Sequence, residues 1–173
     1  MKWIILWSFV CATFIVACDI LDKKLNGVVK EYYESGALKF ERNFKDDKLN
    51  GIAKSYYESG ALQSEGNFKD GNLNGIAKSY YESGALKGEL NFKGDKLNGV
   101  EKLYSESGAL LSERNFKDGK KNGVGKAYSE SGALQSEINF KNGKALSGVY
   151  YHKNGKIDRK MTNEDFSNLG YEH

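Results

Sequence analysis

LNGIAKSYYESGAL occupies residues 49–62 and returns letter for letter at 73–86. Looser copies flank the pair, so that units begin at Leu25, Leu49, Leu73, Leu97 and Lys121, each 24 residues after the last. A degenerate sixth is expected from Leu146, one residue late. The consensus is L-N-G-(V/I)-x-K-x-Y-(Y/S)-E-S-G-A-L-x-x-E-x-N-F-K-D-G-K. An enzyme site needs one constellation of unlike groups. Repetition this close points to an array in which each unit buries its apolar surface against its neighbours.

Helical units are excluded by glycine. Asn-Gly and Ser-Gly recur about ten residues apart within each unit, which would cut every helix to two turns at roughly 1 kcal/mol per break. The pattern predicts an all-β fold, an elongated single-layer antiparallel β-meander with two strands per unit and turns at Ser-Gly and Asp-Gly. With Ser35-Gly36 as a two-residue turn, Tyr33 faces Leu38 and Lys30 faces Glu41. One sheet face then carries Val28, Lys30, Tyr32, Glu41, Asn43 and Lys45, and the other Val29, Tyr33, Leu38, Phe40 and Phe44. An even-numbered Asp-Gly loop places Leu49, Ala53 and Tyr57 on that second face too.

The same pairing sets Lys30, Lys54, Lys78, Lys102 and Lys126 across from Glu41, Glu65, Glu89, Glu113 and Glu137. A thin core is expected from rows of Leu38, Leu62, Leu86, Leu110 and Leu134 with Phe44, Phe68, Phe92, Phe116 and Phe140. In the last unit Tyr151 is expected in the Lys column. Thr162-Asn163-Glu164-Asp165 resembles a capping box that opens a short C-terminal helix, expected to cover the exposed sheet edge.

The consensus resembles the bacterial variant of the MORN repeat, of the type found in YwqK-family antitoxins, whose usual core is Y-Y-x-N-G-x-L. Ser35, Ser59, Ser83, Ser107 and Ser131 replace the Asn of that core. The resemblance covers five units and implies a β-ribbon. For function it implies three different things: an immunity protein that binds a toxin, a dimerisation scaffold, or a surface that touches phospholipids. Kinases that carry such repeats have a separate catalytic domain, for which this chain has no room.

The N-terminus is a separate object. Met1-Lys2 is a short basic region, and Trp3 to Ala17 is apolar apart from Ser8 and Thr13. That length suits a signal peptide and falls short of the ~20 residues of a spanning helix. Ile15-Val16-Ala17-Cys18 resembles the bacterial lipobox, which implies cleavage before Cys18 and its lipidation. Cys11 leaves with the signal, so thiolate chemistry is excluded. The expected organisation is residues 1–17 signal peptide, 18–24 lipidated N-terminus and tether, 25–157 repeat ribbon with its partial unit from 146, and 158–173 cap. Such a protein is anchored to the bacterial cell membrane and faces the periplasm or the exterior.

Chemistry is sparse. Lys and Arg number 26 against 23 Asp and Glu, a formal charge of +3 that gives no reason to expect nucleic acid. His152 and His173 have no second His at ligand spacing, no Ser sits in G-x-S-x-G, and the turn acids lack the glycine pattern of calcium-binding solenoids. No catalytic residue, metal, cofactor or small-molecule substrate is expected. The Lys45, Lys69, Lys93, Lys117 and Lys141 column, with Glu34, Glu58, Glu82, Glu106 and Glu130 at the opposite strand ends, has the character of a solvated, charge-mixed surface.

The candidate binding surface is tyrosine. Tyr32, Tyr56, Tyr80, Tyr104 and Tyr128 form one column, and Tyr33, Tyr57 and Tyr81 a second that gives way to Ser105 and Ser129. Amphipathic rings in rows suit protein contacts, and equally suit sheet packing. The expectation is a non-enzymatic, membrane-anchored module for a protein partner, a toxin or an envelope protein. The alternative is a structural or self-associating envelope lipoprotein.

Overall fold

The computed structural model describes residues 24–172 as one open sheet in which every paired strand is antiparallel to its neighbour. Cys18 and the signal segment lie outside the described residues. The strands are β1 (Gly27–Tyr32), β2 (Leu38–Lys45), β3 (Lys48–Tyr56), β4 (Leu62–Lys69), β5 (Asn72–Tyr80), β6 (Leu86–Lys93) and β7 (Lys96–Leu97). They continue as β8 (Gly99–Tyr104), β9 (Leu110–Lys117), β10 (Lys120–Lys121), β11 (Gly123–Tyr128), β12 (Leu134–Lys141), β13 (Lys144–Tyr151) and β14 (Ile157–Lys160), before helix α1 (Asn163–Asn168). The 14 segments make twelve consecutive rows, because β7 and β10 begin rows that β8 and β11 complete.

Two turn types alternate. Asp46-Asp47, Asp70-Gly71, Gly94-Asp95, Asp118-Gly119 and Asn142-Gly143 have positive φ at both positions, the two-residue hairpin turn that matches strand twist. The loop is therefore even, and Glu41, Glu65, Glu89 and Glu113 each meet a Lys on both sides: Glu41 pairs with Lys30 and with Lys54. The Ser-Gly turn differs from expectation. Gly36 N–H donates to the Tyr33 carbonyl and Tyr33 N–H to the Ala37 carbonyl, so the loop has three residues with Gly36 at φ +85°. The register shifts beside it, and Tyr32, not Tyr33, stands opposite Leu38. Body and turn remain compatible because the shift is confined to the hairpin tip.

Asn-Gly makes a bulge. Between the pairs Phe44–Leu49 and Arg42–Ala53, Asn50, Gly51 and Ile52 on β3 oppose Asn43 alone. Gly51 has φ +101°, and the Asn43 amide donates to the Ile52 carbonyl at 3.2 Å. Asn91 and Asn115 do the same to Val100 and Val124, both at 2.9 Å. Two extra residues are an even number, so side chains keep their faces through every such bulge.

The sixth unit breaks this rule. Ala145 pairs with Phe140, the place Leu49 holds opposite Phe44, so the unit begins at Ala145 and not at Leu146. Leu146 is a bulge residue, 58% exposed. Only one residue is extra here, and Val149, not Tyr151, faces Glu137. Tyr151 pairs with Ile157 as Tyr32 does with Leu38, and belongs to the first Tyr column. Tyr150 turns to the opposite face and packs on the core.

That core sits at the C-terminal end. Ile138, Phe140, Ala145, Met161 and Phe166 are buried, whereas the expected Leu and Phe rows are half-buried elsewhere. Helix α1 is opened by the capping box: the Thr162 hydroxyl accepts from Asp165 N–H while Asp165 accepts from Thr162 N–H. Phe166 lays the helix on the sheet face, and Tyr171 meets Phe140 edge-on with centroids 5.1 Å apart. The sheet edge stays open, with all four residues of β14 exposed, because the apolar side of α1 finds its complement on the face. Strand β14 runs to Lys160 and straddles the boundary expected at 157/158.

Candidate protein-binding surface

The two faces of the ribbon are built by different rules. One face carries the ladder of Lys and Glu, with ion pairs of 3.2 Å at Lys30–Glu41 and 3.3 Å at Lys126–Glu137. The hydrogen bond to Glu41 holds the Lys30 ammonium above its usual range. These are exposed pairs of small energetic weight, and their value is register. Its columns barely change from unit to unit.

Tyr32, Tyr56, Tyr80, Tyr104 and Tyr128 stand on this face; Tyr32 is 59% exposed and the others are half-buried. The Tyr80 hydroxyl donates to Glu65 at 2.9 Å, and Tyr151 donates to Glu137 at 2.6 Å. Burial, then that bond to Glu65, pushes the Tyr80 phenol up. The Tyr151 bond is the largest reason that the Glu137 carboxyl lies below the usual carboxylate range.

The second tyrosine column sits at the hairpin ends and is engaged within the sheet. Tyr33, Tyr57 and Tyr81 donate to the carbonyls of Tyr56, Tyr80 and Tyr104, at 2.7, 2.8 and 2.9 Å. Each ring thus bridges one hairpin to the next. At the other ends of the strands, Gly71, Gly119 and Gly143 N–H groups donate to the carbonyls of Leu49, Leu97 and Lys121. The eight predicted tyrosines therefore form two separate rows with different partners and not one site.

The opposite face varies, and it holds the groove that sequence reasoning missed. The groove is lined by the constant Phe68 and Phe92 with Leu73, and is opened by the small residues Gly66, Ala77 and Ser79. The groove has a volume of about 340 Å³ and is mostly apolar. A Cβ at Gly66 would lie 2.8 Å from the end of the Leu73 side chain, which would have to swing aside.

At one end of the groove Arg42 lies over the Phe40 ring, 4.0 Å from its centre, and pairs with Glu31 at 2.6 Å. Beyond the other end, past Leu90, Arg114 pairs with Glu101 at 3.3 Å. Near that pair the Ser112 hydroxyl, in a residue 6% exposed, has no hydrogen-bond partner in the protein. The signal was present in the repeat itself: one column of this face reads Arg42, Gly66, Leu90, Arg114, Ile138, where the ladder column reads Glu five times.

At the C-terminal end this face is closed by α1. Lys121 stands 4.1 Å from the centre of the Tyr171 ring, and burial, then Arg114, pushes its ammonium pKa down. Among the described residues no cluster of three His, Cys, Asp or Glu side chains converges on a metal position.

Residues 25–46, 49–70, 73–93, 97–118 and 121–142 each match the family described as MORN repeat variant, together more than half of the chain. No curated protein matches the chain.

Proposed function

This chain belongs to the MORN repeat variant family, and from that premise we propose that it is a non-enzymatic protein-binding module whose grooved face receives the partner. The observation that carries this reading is the contrast between faces. Columns that hold the sheet together, the Lys–Glu ladder and the Asn-Gly bulge, repeat with little change. Columns on the grooved face range from Arg through Gly to Leu at one structural position. An array that needs only to exist has no use for such variety. A partner with one shape and charge does.

The reading extends to place and partner. A lipid on Cys18 would hold the ribbon at the membrane, facing the periplasm or the exterior, and a toxin is the partner that the repeat type suggests. Self-association by stacking ribbons end to end is less well supported. Val149 faces both Glu137 and Lys160, so continuing the ladder into a second copy sets Lys160 opposite Lys30. Like charges directly opposite are destabilising.

The test is capture from the native host with the full chain and with Gly66→Leu, which fills the groove, and Lys102→Gln, which alters the ladder outside the groove. One stoichiometric protein retained by Lys102→Gln and lost with Gly66→Leu is the expected result. Capture of the bait alone, or equal capture by all three, would overturn the reading. Growth arrest by the captured protein, relieved on co-expression of this chain, tests the immunity role. Loss of fatty-acid labelling in Cys18→Ser tests the anchor.

A further inference from the structure

We propose that the cleft between the last two Ser-Gly-type hairpins is a receptor for a tyrosine side chain of a protein partner. The chain itself supplies the template. In the first three units the residue that opens the hairpin is Tyr33, Tyr57 or Tyr81, and its ring spans to the neighbouring hairpin and donates to the carbonyl of the residue 23 positions on. In the fifth unit that residue is Ser129.

Because the sixth unit is one residue short, the matching acceptor is the carbonyl of Tyr151 and not of residue 152. Tyr151 occupies the place of Tyr56, Tyr80 and Tyr104, as its pairing with Ile157 establishes. Ser129 and Tyr151 line a single cavity of about 410 Å³, with Ala133, Leu134 and Lys153. The serine hydroxyl does not reach across it: Ser129 Oγ lies 2.8 Å from Ser131 Oγ and accepts from Ala133 N–H within its own hairpin.

The cleft lies where a ring bridges the hairpins in its three counterparts. A phenol needs an apolar wall for the ring and an acceptor for the hydroxyl; Leu134 lines the cleft, and the Tyr151 carbonyl holds the acceptor's place. One difference tunes the cleft toward an aromatic ring from outside. The first turn residue is Glu34, Glu58, Glu82, Glu106 and Glu130 in the full units and Lys153 in the last. A cation at the rim is attracted by a ring face, as Lys39 and Lys87 are over Tyr33 and Tyr81 at 5.2 and 5.4 Å. At Ser105, by contrast, the side chain is already 7% exposed. This cleft lies on the hairpin edge of the ribbon and is independent of the groove around Gly66.

The probe is N-acetyl-tyrosinamide, titrated into the full-length, isotope-labelled chain and followed by amide chemical shifts. Saturable shifts confined to Ser129–Leu134 and Tyr151–Lys153 are expected. They are expected to vanish in Ser129→Tyr, which supplies the ring internally, and in Ser129→Phe, which blocks the cleft without a hydroxyl. N-acetyl-phenylalaninamide should bind about three- to tenfold more weakly, the worth of one hydrogen bond. Shifts scattered along the ribbon, shifts unchanged by both variants, equal response to both probes, or no saturable shift would each overturn the proposal. Should one variant fail to fold, the other and the probe comparison still decide it.

Discussion

The Tyr57 hydroxyl donates to the Tyr80 carbonyl at 2.8 Å, one unit further along the sheet. A side chain read from the sequence as a binding group is thus also a tie between neighbours. Tyr57→Phe keeps the ring and removes the tie, and should lower stability by about 0.5–1.5 kcal/mol. Tyr57→Ser, the residue of units four and five, should cost more, because the ring goes as well. Urea denaturation of both variants reads the difference, and a Phe variant as stable as the parent would assign no weight to the hydroxyl.

Two glycines should respond oppositely to the same substitution. Gly51 holds the bulge at φ +101°, and alanine there should cost about 1–3 kcal/mol. Gly66 lies in ordinary strand conformation, and its only tight neighbour is the flexible tip of Leu73. Gly66→Ala should stay within about 1 kcal/mol of the parent. Equal losses at the two positions would contradict the bulge as the reason for the Asn-Gly motif.

Acid should loosen the cap before the ribbon. Asp165 forms a two-pronged pair with Arg159 at 2.7 and 2.8 Å and accepts from Thr162 N–H, which together hold its carboxyl well below the usual range. A carboxyl depressed on folding stabilises the folded state fully above its ordinary range, and that contribution is lost as pH falls through and below it. Amide signals of residues 162–169 followed on acidification should fade first. Asp165→Asn should be loosened at neutral pH and lack this pH dependence.

Phe166→Ala should detach α1 at a cost of about 3–5 kcal/mol to that end of the molecule. Stability in such arrays is carried by nearest neighbours, so β1–β6 should be unaffected. Hydrogen exchange separates the two regions directly: faster exchange in residues 161–172 with unchanged protection around Lys54 and Lys78 is expected.

Much of the sheet was legible because strand alternation and charge agree. Only one register lets five Lys–Glu pairs form while Phe44 and its counterparts share a face, and the Lys30–Glu41 pairing follows that register. The hairpin tip was less legible, since Ser-Gly serves a two-residue and a three-residue loop equally well, and only the Tyr33 and Gly36 hydrogen bonds distinguish them. Leu146 misled because it preserves the letter of the consensus while Ala145 preserves its position. The groove was overlooked for a different reason: attention to what repeats hides what does not. Arg42, Gly66 and Leu90 are noise in a consensus and neighbours along one face in space.

The single-residue bulge at Leu146 also shows where the ribbon can change length. Ala145 and Val149 keep the places of Leu49 and Lys54 although one residue fewer lies between them, and Tyr151 and Ile157 then stand as Tyr32 and Leu38 do. The bulge absorbs the missing letter without turning any later side chain to the other face. The Asn-Gly segment is therefore an expansion joint. A residue gained or lost there is taken up locally, whereas one gained or lost inside a ladder strand would turn every side chain beyond it.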